Sequence, residues 1–182
     1  MIESSEEIQS LSVGSLMSKP EDVTIYTDGA CVGNPGPGGY GVVVLHERRR
    51  SELSGGFKST TNNRMEIMAA IAGLETLTEK CRVTLYTDSE YLVKAMAEGR
   101  ARQWEAHGWK RNKRERALNP DLWAKLLELC KTHEVEFKWV KGHDATIENK
   151  RCDRLATEAA RQPNLVDKGY KESANITQPR LF

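Results

Sequence analysis

Apolar and polar positions alternate through Val23-Thr24-Ile25-Tyr26-Thr27-Asp28, and nearly the same run returns as Val83-Thr84-Leu85-Tyr86-Thr87-Asp88, with Ile changed to Leu. β-Branched and aromatic residues at period two predict a strand for each copy, ending in a carboxylate beside Gly29 or Ser89. Tyr40 to Leu45 and Ser51 to Phe57 read as two more strands around a charged turn at Glu47 to Arg50, giving an antiparallel meander. Val135 to Val140 alternates as a fifth strand and runs into the polar turn Lys141-Gly142-His143. Gly29 to Gly39 carries too much Gly and Pro for helix or strand, so a tight, exposed loop is expected there.

Helical spacing takes over between the strands. Ile67, Ala70, Ile71, Leu74 and Leu77 share one face of a helix expected from about Arg64 to Lys80, with Asn62 and Asn63 available to cap it. Glu66 shares a stripe with Ala70, Gly73 and Leu77, which turns it toward the packed face; equally, a first-turn acid can simply complement the helix dipole. Further helices are expected from about Ser89 to Glu98 and from Asn119-Pro120-Asp121 onward, the latter burying Leu122, Trp123, Leu126, Leu127 and Cys130. A last helix, from about Ile147 to Arg161, packs Cys152, Leu155, Ala156 and Ala159, and Asp153 aligns with Ala156 and Ala160 where a small-residue face meets the core. Residues 1–20 are Ser/Glu-rich and read as a flexible arm, in which Ile8, Leu11 and Leu16 leave room for a short helix formed on a partner. Residues 21–162 read as one domain and residues 163–182 as a polar tail.

Composition changes this picture little. The chain has 182 residues, 38% of them hydrophobic and 29% charged, as in a globular protein with a sizeable core. No apolar run approaches a membrane span, and the acidic N-terminus has no apolar signal segment, so a cytoplasmic location is expected. Cys31, Cys81, Cys130 and Cys152 are far apart with no C-x-x-C spacing, which favours reduced thiols over disulfides or zinc. The net charge of +1 leaves any attraction for a polyanion to local clustering. Such a cluster exists between Arg100 and Arg116, where seven Lys/Arg against two Glu give a local charge of +5, with Trp104 and Trp109 interleaved. It is either a solvated loop or, as aromatics among cations suggest, a nucleic-acid contact.

The repeat carries the chemistry. If its copies pair in parallel, Asp28 and Asp88 emerge together at one sheet edge, an arrangement unfavourable unless a cation or a shared proton relieves the repulsion. Glu66, Asp153 and His143 are the further groups that the elements can bring there. Taken singly, Asp28 can be a turn residue, Asp88 an N-cap and Asp153 a surface ion-pair partner. Taken together, four carboxylates without a Cys or a second His disfavour zinc and suit Mg²⁺ or Mn²⁺, ions that bind phosphate oxygens.

TDGACVGNPGPGGYG (27–41), TTNNRMEIMAAI (60–71), YTDSEY (86–91), WVKGH (139–143) and ENKRCD (148–153) occur in this order, and together the chain from about Asp22 to Tyr170 resembles bacterial type I ribonuclease H. The resemblance implies an α/β ribonuclease H-like fold: a five-stranded mixed sheet, three antiparallel strands then two parallel, with helices on both faces. It implies a Mg²⁺-dependent endonuclease that cleaves the RNA strand of RNA–DNA hybrids and leaves 5′-phosphate and 3′-hydroxyl ends. Asp28, Glu66, Asp88 and Asp153 would then bind two metal ions, with Mn²⁺ a possible substitute, and His143 would assist proton transfer or product departure. Cys31, Asn34 and Asn63 match positions that contact the RNA strand, and Thr61 and Asn62 positions near the DNA strand. The segment holding Trp104, Trp109, Lys110, Arg111, Lys113 and Arg114 matches the family's basic protrusion, about 99–117, on the DNA side. A monomer is expected.

Three features depart from the family pattern. Asp144-Ala145-Thr146-Ile147 replaces a Gly- and Pro-containing stretch, Glu90 stands where Gln is common, and the protrusion is richer in Arg than in Lys. The closing Gln178-Pro179-Arg180-Leu181-Phe182 resembles a sliding-clamp-binding peptide through Gln178, Leu181 and Phe182; the alternative is a frayed end. A hybrid-binding module with inactive carboxylates and a DNA-directed nuclease of the same fold are the competing functions.

Overall fold

The computed structural model describes residues 19–141 and 146–170. The arm up to residue 18, His143 with Asp144 and Ala145, and the peptide containing Gln178, Leu181 and Phe182 lie outside the described residues. The strands are β1 (Glu21–Cys31), β2 (Gly36–His46), β3 (Arg49–Thr60), β4 (Cys81–Thr87) and β5 (Glu134–Trp139). The helices are α1 (Asn62–Leu74), α2 (Glu90–Ala97), α3 (Arg100–Ala106), α4 (Pro120–Thr132) and α5 (Ile147–Arg161).

One five-stranded sheet runs in the order β3-β2-β1-β4-β5. β1, β2 and β3 are antiparallel, and β4 and β5 join parallel to β1, as expected for this fold. The two copies of the repeated run lie side by side in register: Ile25 faces Leu85, Tyr26 faces Tyr86 and Thr27 faces Thr87. Tyr26 and Tyr86 stack with centroids 5.0 Å apart, a cross-strand pair that fixes this register. The next residue of each copy is an aspartate, so the pairing carries Asp28 and Asp88 to the same place.

The main core fills the face where Val23, Ile25, Val42, Val83 and Leu85 meet Ile67, Ala70 and Leu74 of α1, Leu92 of α2 and Trp123 and Leu126 of α4, all almost fully buried. α5 covers the opposite face, against β1, β2 and β3. Here the structure corrects the reading of Gly29 to Gly39 as a loop. β1 continues to Cys31 and β2 starts at Gly36, with Ala30 opposite Gly39 and Cys31 opposite Gly38. Gly33, with a left-handed φ of 77°, makes the short turn between the two strands, whereas Gly29 and Gly39 make room for α1 and α5. At Gly41 a Cβ would overlap the carbonyl oxygen of Cys152, because α5 lies with its backbone directly on β2.

Other boundaries move for local reasons. Thr61, not Asn62 or Asn63, caps α1 by accepting the Arg64 N–H at 3.4 Å. α1 stops at Leu74 instead of reaching Lys80, because Thr76 donates its hydroxyl to the Gly73 carbonyl (2.7 Å) and turns the chain, so Leu77 packs from outside the helix. The basic segment begins as the short helix α3 and continues as a tight hairpin closed by a Lys110–Arg116 bridge. The domain boundary at residue 162 is also corrected. Leu165 pairs with Phe57 beside β3, its N–H donating to the Gly56 carbonyl at 2.9 Å, and Asp167 is buried, so residues 163–170 belong to the folded body. Among the described residues no helix is long and apolar enough to cross a membrane.

Gly41→Ala is expected to destabilise the protein by about 1–3 kcal/mol through overpacking. Thermal denaturation should show this as a fall of about 2–4 °C for each kcal/mol, with the native circular dichroism retained below the transition.

Candidate active site

Asp28 projects from β1 on the side of α5, Asp88 follows the last residue of β4, and Glu66 comes from the first turns of α1. Gly29 lets α1 come this close, since a Cβ there would press on the main chain of Met65 and Glu66. Carboxylate oxygens of Asp28, Glu66 and Asp88 all lie within 4.8 Å of one another. Glu66 is therefore on the packed side of α1, and the dipole-only reading falls. Asp28 and Glu66 are 7% and 5% exposed, so two of the three acids are almost cut off from water.

The electrostatics follow from that geometry. Burial, then the charges of Asp88 and Asp153, push the Asp28 carboxyl up from 3.8 to about 8. Burial, then Asp28 and Asp88, lift Glu66 well above the usual carboxylate range. One oxygen of Glu66 accepts from the Asn62 side-chain amide at 3.3 Å, while the other is buried with no hydrogen-bond partner. A buried carboxylate oxygen left bare costs about 1–3 kcal/mol or more, a penalty that a cation removes. An oxygen-only donor set with one bare buried oxygen fits a hard divalent ion such as Mg²⁺ or Mn²⁺.

Asp88 is held from both sides. The Ser89 hydroxyl caps α2 by accepting the Leu92 N–H (3.2 Å), the Ser89 N–H donates to the Thr87 hydroxyl (3.1 Å), and the Trp139 indole N–H donates to the Asp88 carbonyl (3.1 Å). The sequence gives Trp139 no such role, since a tryptophan ending a strand carries no hint of a partner on the neighbouring strand. Asp153 differs from its expected setting. It is exposed on α5 rather than at the core edge, and it stands outside the three-acid group, although its charge reaches Asp28. One residue past buried Cys152, a helix has rotated the side chain toward solvent.

The substrate candidates divide by setting. Cys31, half-buried, donates its thiol to the Gly36 and Thr60 carbonyls at 3.6 and 3.7 Å, and the Asn34 side chain accepts the Asn62 N–H at 3.2 Å. Cys31, Asn34, Thr61 and Asn62 thus share the corner where the β1–β2 turn meets the start of α1, with Asn63 exposed beside them. Lys110, Arg111, Lys113 and Arg114 are exposed on the hairpin. Trp104 and Trp109 are instead half-buried against the core, Trp104 edge-on to Trp123 with centroids 6.0 Å apart. Packing against the core is thus a role of both rings that the sequence did not show. Lys94, Arg100, Arg111 and Trp104 line a cleft of about 560 Å³ between α2, α3 and the hairpin. Glu90 adds no lone negative charge there, because Lys94 pairs with it one helical turn on.

The ribonuclease H family model matches residues 20–161. The ribonuclease H of Desulforamulus reducens is 64% identical over 145 residues, covering 80% of this chain and 91% of that protein. Among solved structures, LC9-RNase H1, described as a type 1 RNase H with the type 2 active-site motif, superposes with a TM-score of 0.71 at 33% identity, covering 86% of this chain and 82% of that one. LC11-RNase H1 in complex with RNA/DNA hybrid superposes with a TM-score of 0.59 at 28% identity, over 77% of this chain and 97% of that one. Fold and acidic corner together define a nuclease of the ribonuclease H-like class. The chain belongs to the ribonuclease H family, in its bacterial type I branch, and its reaction is endonucleolytic cleavage of the RNA strand of an RNA–DNA hybrid.

Between about pH 4 and 8 the metal-free folded protein holds a proton on Asp28 that the unfolded chain has released, so stability falls as pH rises through this window. Asp28→Asn should abolish that loss. In chelator its melting temperature is expected to exceed that of the unsubstituted protein at pH 8, by about 2–4 °C for each kcal/mol relieved, with little difference near pH 4. Scanning calorimetry at the two pH values checks this.

Proposed function

We propose that Asp28, Glu66, Asp88 and Asp153 hold two Mg²⁺ ions, with Mn²⁺ able to substitute, and that this acidic corner is where the RNA strand is cut. The observation that carries the reading is the bare, buried Glu66 oxygen, in a group whose carboxylate oxygens, from Asp28, Glu66 and Asp88, all lie within 4.8 Å of one another. When bound, the ions supply Lewis acidity to the attacking water and the leaving 3′-oxygen, which leaves 5′-phosphate and 3′-hydroxyl ends. The chain's own residues prepare the place. Asn62 orients Glu66 through its amide, and Ser89 and Trp139 keep Asp88 at the strand end. Asp153, on the wet side, adds charge to the corner without sharing its burial. His143 assists proton transfer or product departure, a role carried over from the family resemblance.

Recognition divides along the same lines. Cys31, Asn34 and Asn63 take the RNA strand, whose 2′-hydroxyls separate it from DNA, and Thr61 and Asn62 approach the DNA strand. Lys110, Arg111, Lys113 and Arg114 grip DNA phosphates, while Trp104 and Trp109 act as the packed base of the hairpin. The solved complex of LC11-RNase H1 with an RNA/DNA hybrid supports this substrate. The protein works as a cytoplasmic monomer, and Gln178, Leu181 and Phe182 offer a sliding clamp a short peptide. Equal clamp pull-down by the full chain and by one stopped at Thr177 would end the clamp idea.

Asp28→Asn should abolish cleavage of a strand-labelled hybrid while leaving hybrid binding within about threefold, because the phosphate and groove interactions remain. Near-normal cutting by that variant, or cutting of the DNA strand, overturns the assignment. Replacing Arg111, Lys113 and Arg114 by Ala should weaken hybrid binding and lower the slope of log K against log salt by roughly 0.7–0.9 for each phosphate that the variant no longer neutralises. A salt titration of binding measures it.

A further inference from the structure

We propose that Arg64, held between Asp167 and Asp121, is a positioning residue that sets the spacing between the two substrate grips, the Thr61–Asn62 corner and the basic hairpin. This rests on the assignment of those two grips above. Arg64 is 1% exposed, yet every N–H of its guanidinium has an acceptor. Nε and Nη2 donate to the two oxygens of Asp167 at 2.7 and 2.8 Å. Nη1 and Nη2 donate to the two oxygens of Asp121 at 2.9 and 2.6 Å, and Nη1 reaches Asn119 Oδ1 at 3.5 Å. Two planar forks on one guanidinium fix orientation as well as distance, which a point charge such as Lys cannot do.

The network's ends are the parts that would touch substrate. The Arg64 N–H belongs to the Thr61 cap, so the side chain is anchored in the turn that carries Thr61, Asn62 and, two residues later, Glu66. Asp121 and Asn119 open α4 directly after the hairpin, where Asn119 takes a left-handed φ of 58°. Asp167 also accepts the Thr60 hydroxyl at 2.6 Å and the Tyr170 N–H at 3.2 Å, so the segment beside β3 closes the third side. A simple stabilising role does not call for joining these three places. A hydrophobic core could hold α1 to α4, and a buried ion pair is often no better than apolar packing for stability. Fixed spacing does need it: a hybrid is a stiff ligand, and two grips on it must match its groove.

The test uses the full chain with Asp167→Asn, which keeps shape and one acceptor but removes the charge, and with Arg64→Lys, which keeps the charge but not the fork. Both are measured well below their melting transitions, with folding checked by circular dichroism. KM for a long hybrid is expected to rise about tenfold with kcat changed less than about threefold, since misplacement weakens holding before chemistry. The deciding measurement is a double-mutant cycle with the Ala variant of Arg111, Lys113 and Arg114. Once the hairpin grip is gone, Asp167→Asn should raise KM little further. Additive effects, or an unchanged KM at full folding, overturn the proposal. Should both variants fail to fold, Asp121→Asn, whose side chain is 40% exposed, takes their place in the same cycle. Failure here leaves cleavage by the unsubstituted protein intact, whereas failure of the underlying assignment shows as no RNA-strand cleavage at all.

Discussion

Repulsion among three acids in a corner almost closed to water is the constraint around which this protein is arranged. Parallel pairing of β1 with β4 places Asp28 beside Asp88, and the close approach of α1 adds Glu66 from a third direction. Burial raises the proton affinity of Asp28 and Glu66, and the neighbouring carboxylates raise it further. Such a corner is poorly folded on its own terms. Its instability is what makes it receptive to divalent ions, so affinity for metal and strain without metal are two sides of one arrangement.

The remaining elements keep that corner rigid. The main core lies on the α1 face of the sheet, and α5 sits with its backbone on β2 across the other face. The tyrosine pair across β1 and β4 and the indole of Trp139 on the Asp88 carbonyl hold the two strand ends in place. With the scaffold fixed, an acid cannot swing away to relieve the repulsion, and the site stays preorganised for charge.

Much of this was legible in the sequence, for reasons that differ by element. The strand repeat announced both the sheet and the aspartate pair, because identical runs in parallel strands bring identical positions together. The helical stripe through Glu66 left an inward acid and a dipole-complementing one equally open, and the last helix ran between the expected residues. Glycines misled, since Gly-rich sequence reads as a loop whereas here bare backbone makes room for α5 and α1. Trp104 and Trp109 hid a second role: amid cations they read as part of a nucleic-acid contact, and the structure packs both against the core as well, Trp104 edge-on to Trp123 of α4. Arg64 carried a missed signal, lying on the same helical stripe as Ile67, Ile71 and Leu74, where an unpaired cation could not remain. Asp167 carried none, because a polar, Pro-containing stretch past a helix looks the same whether it dangles or docks.

Where the chain can be shortened follows from that last segment. The match to the family model stops at residue 161, a natural-looking place to end a recombinant fragment. Such a fragment would strip Leu165 from β3 and Asp167 from Arg64, uncovering a guanidinium left with Asp121 as its remaining carboxylate. The reach of the family model and the packed body thus end at different residues, and the second takes in Leu165, Asp167 and Tyr170.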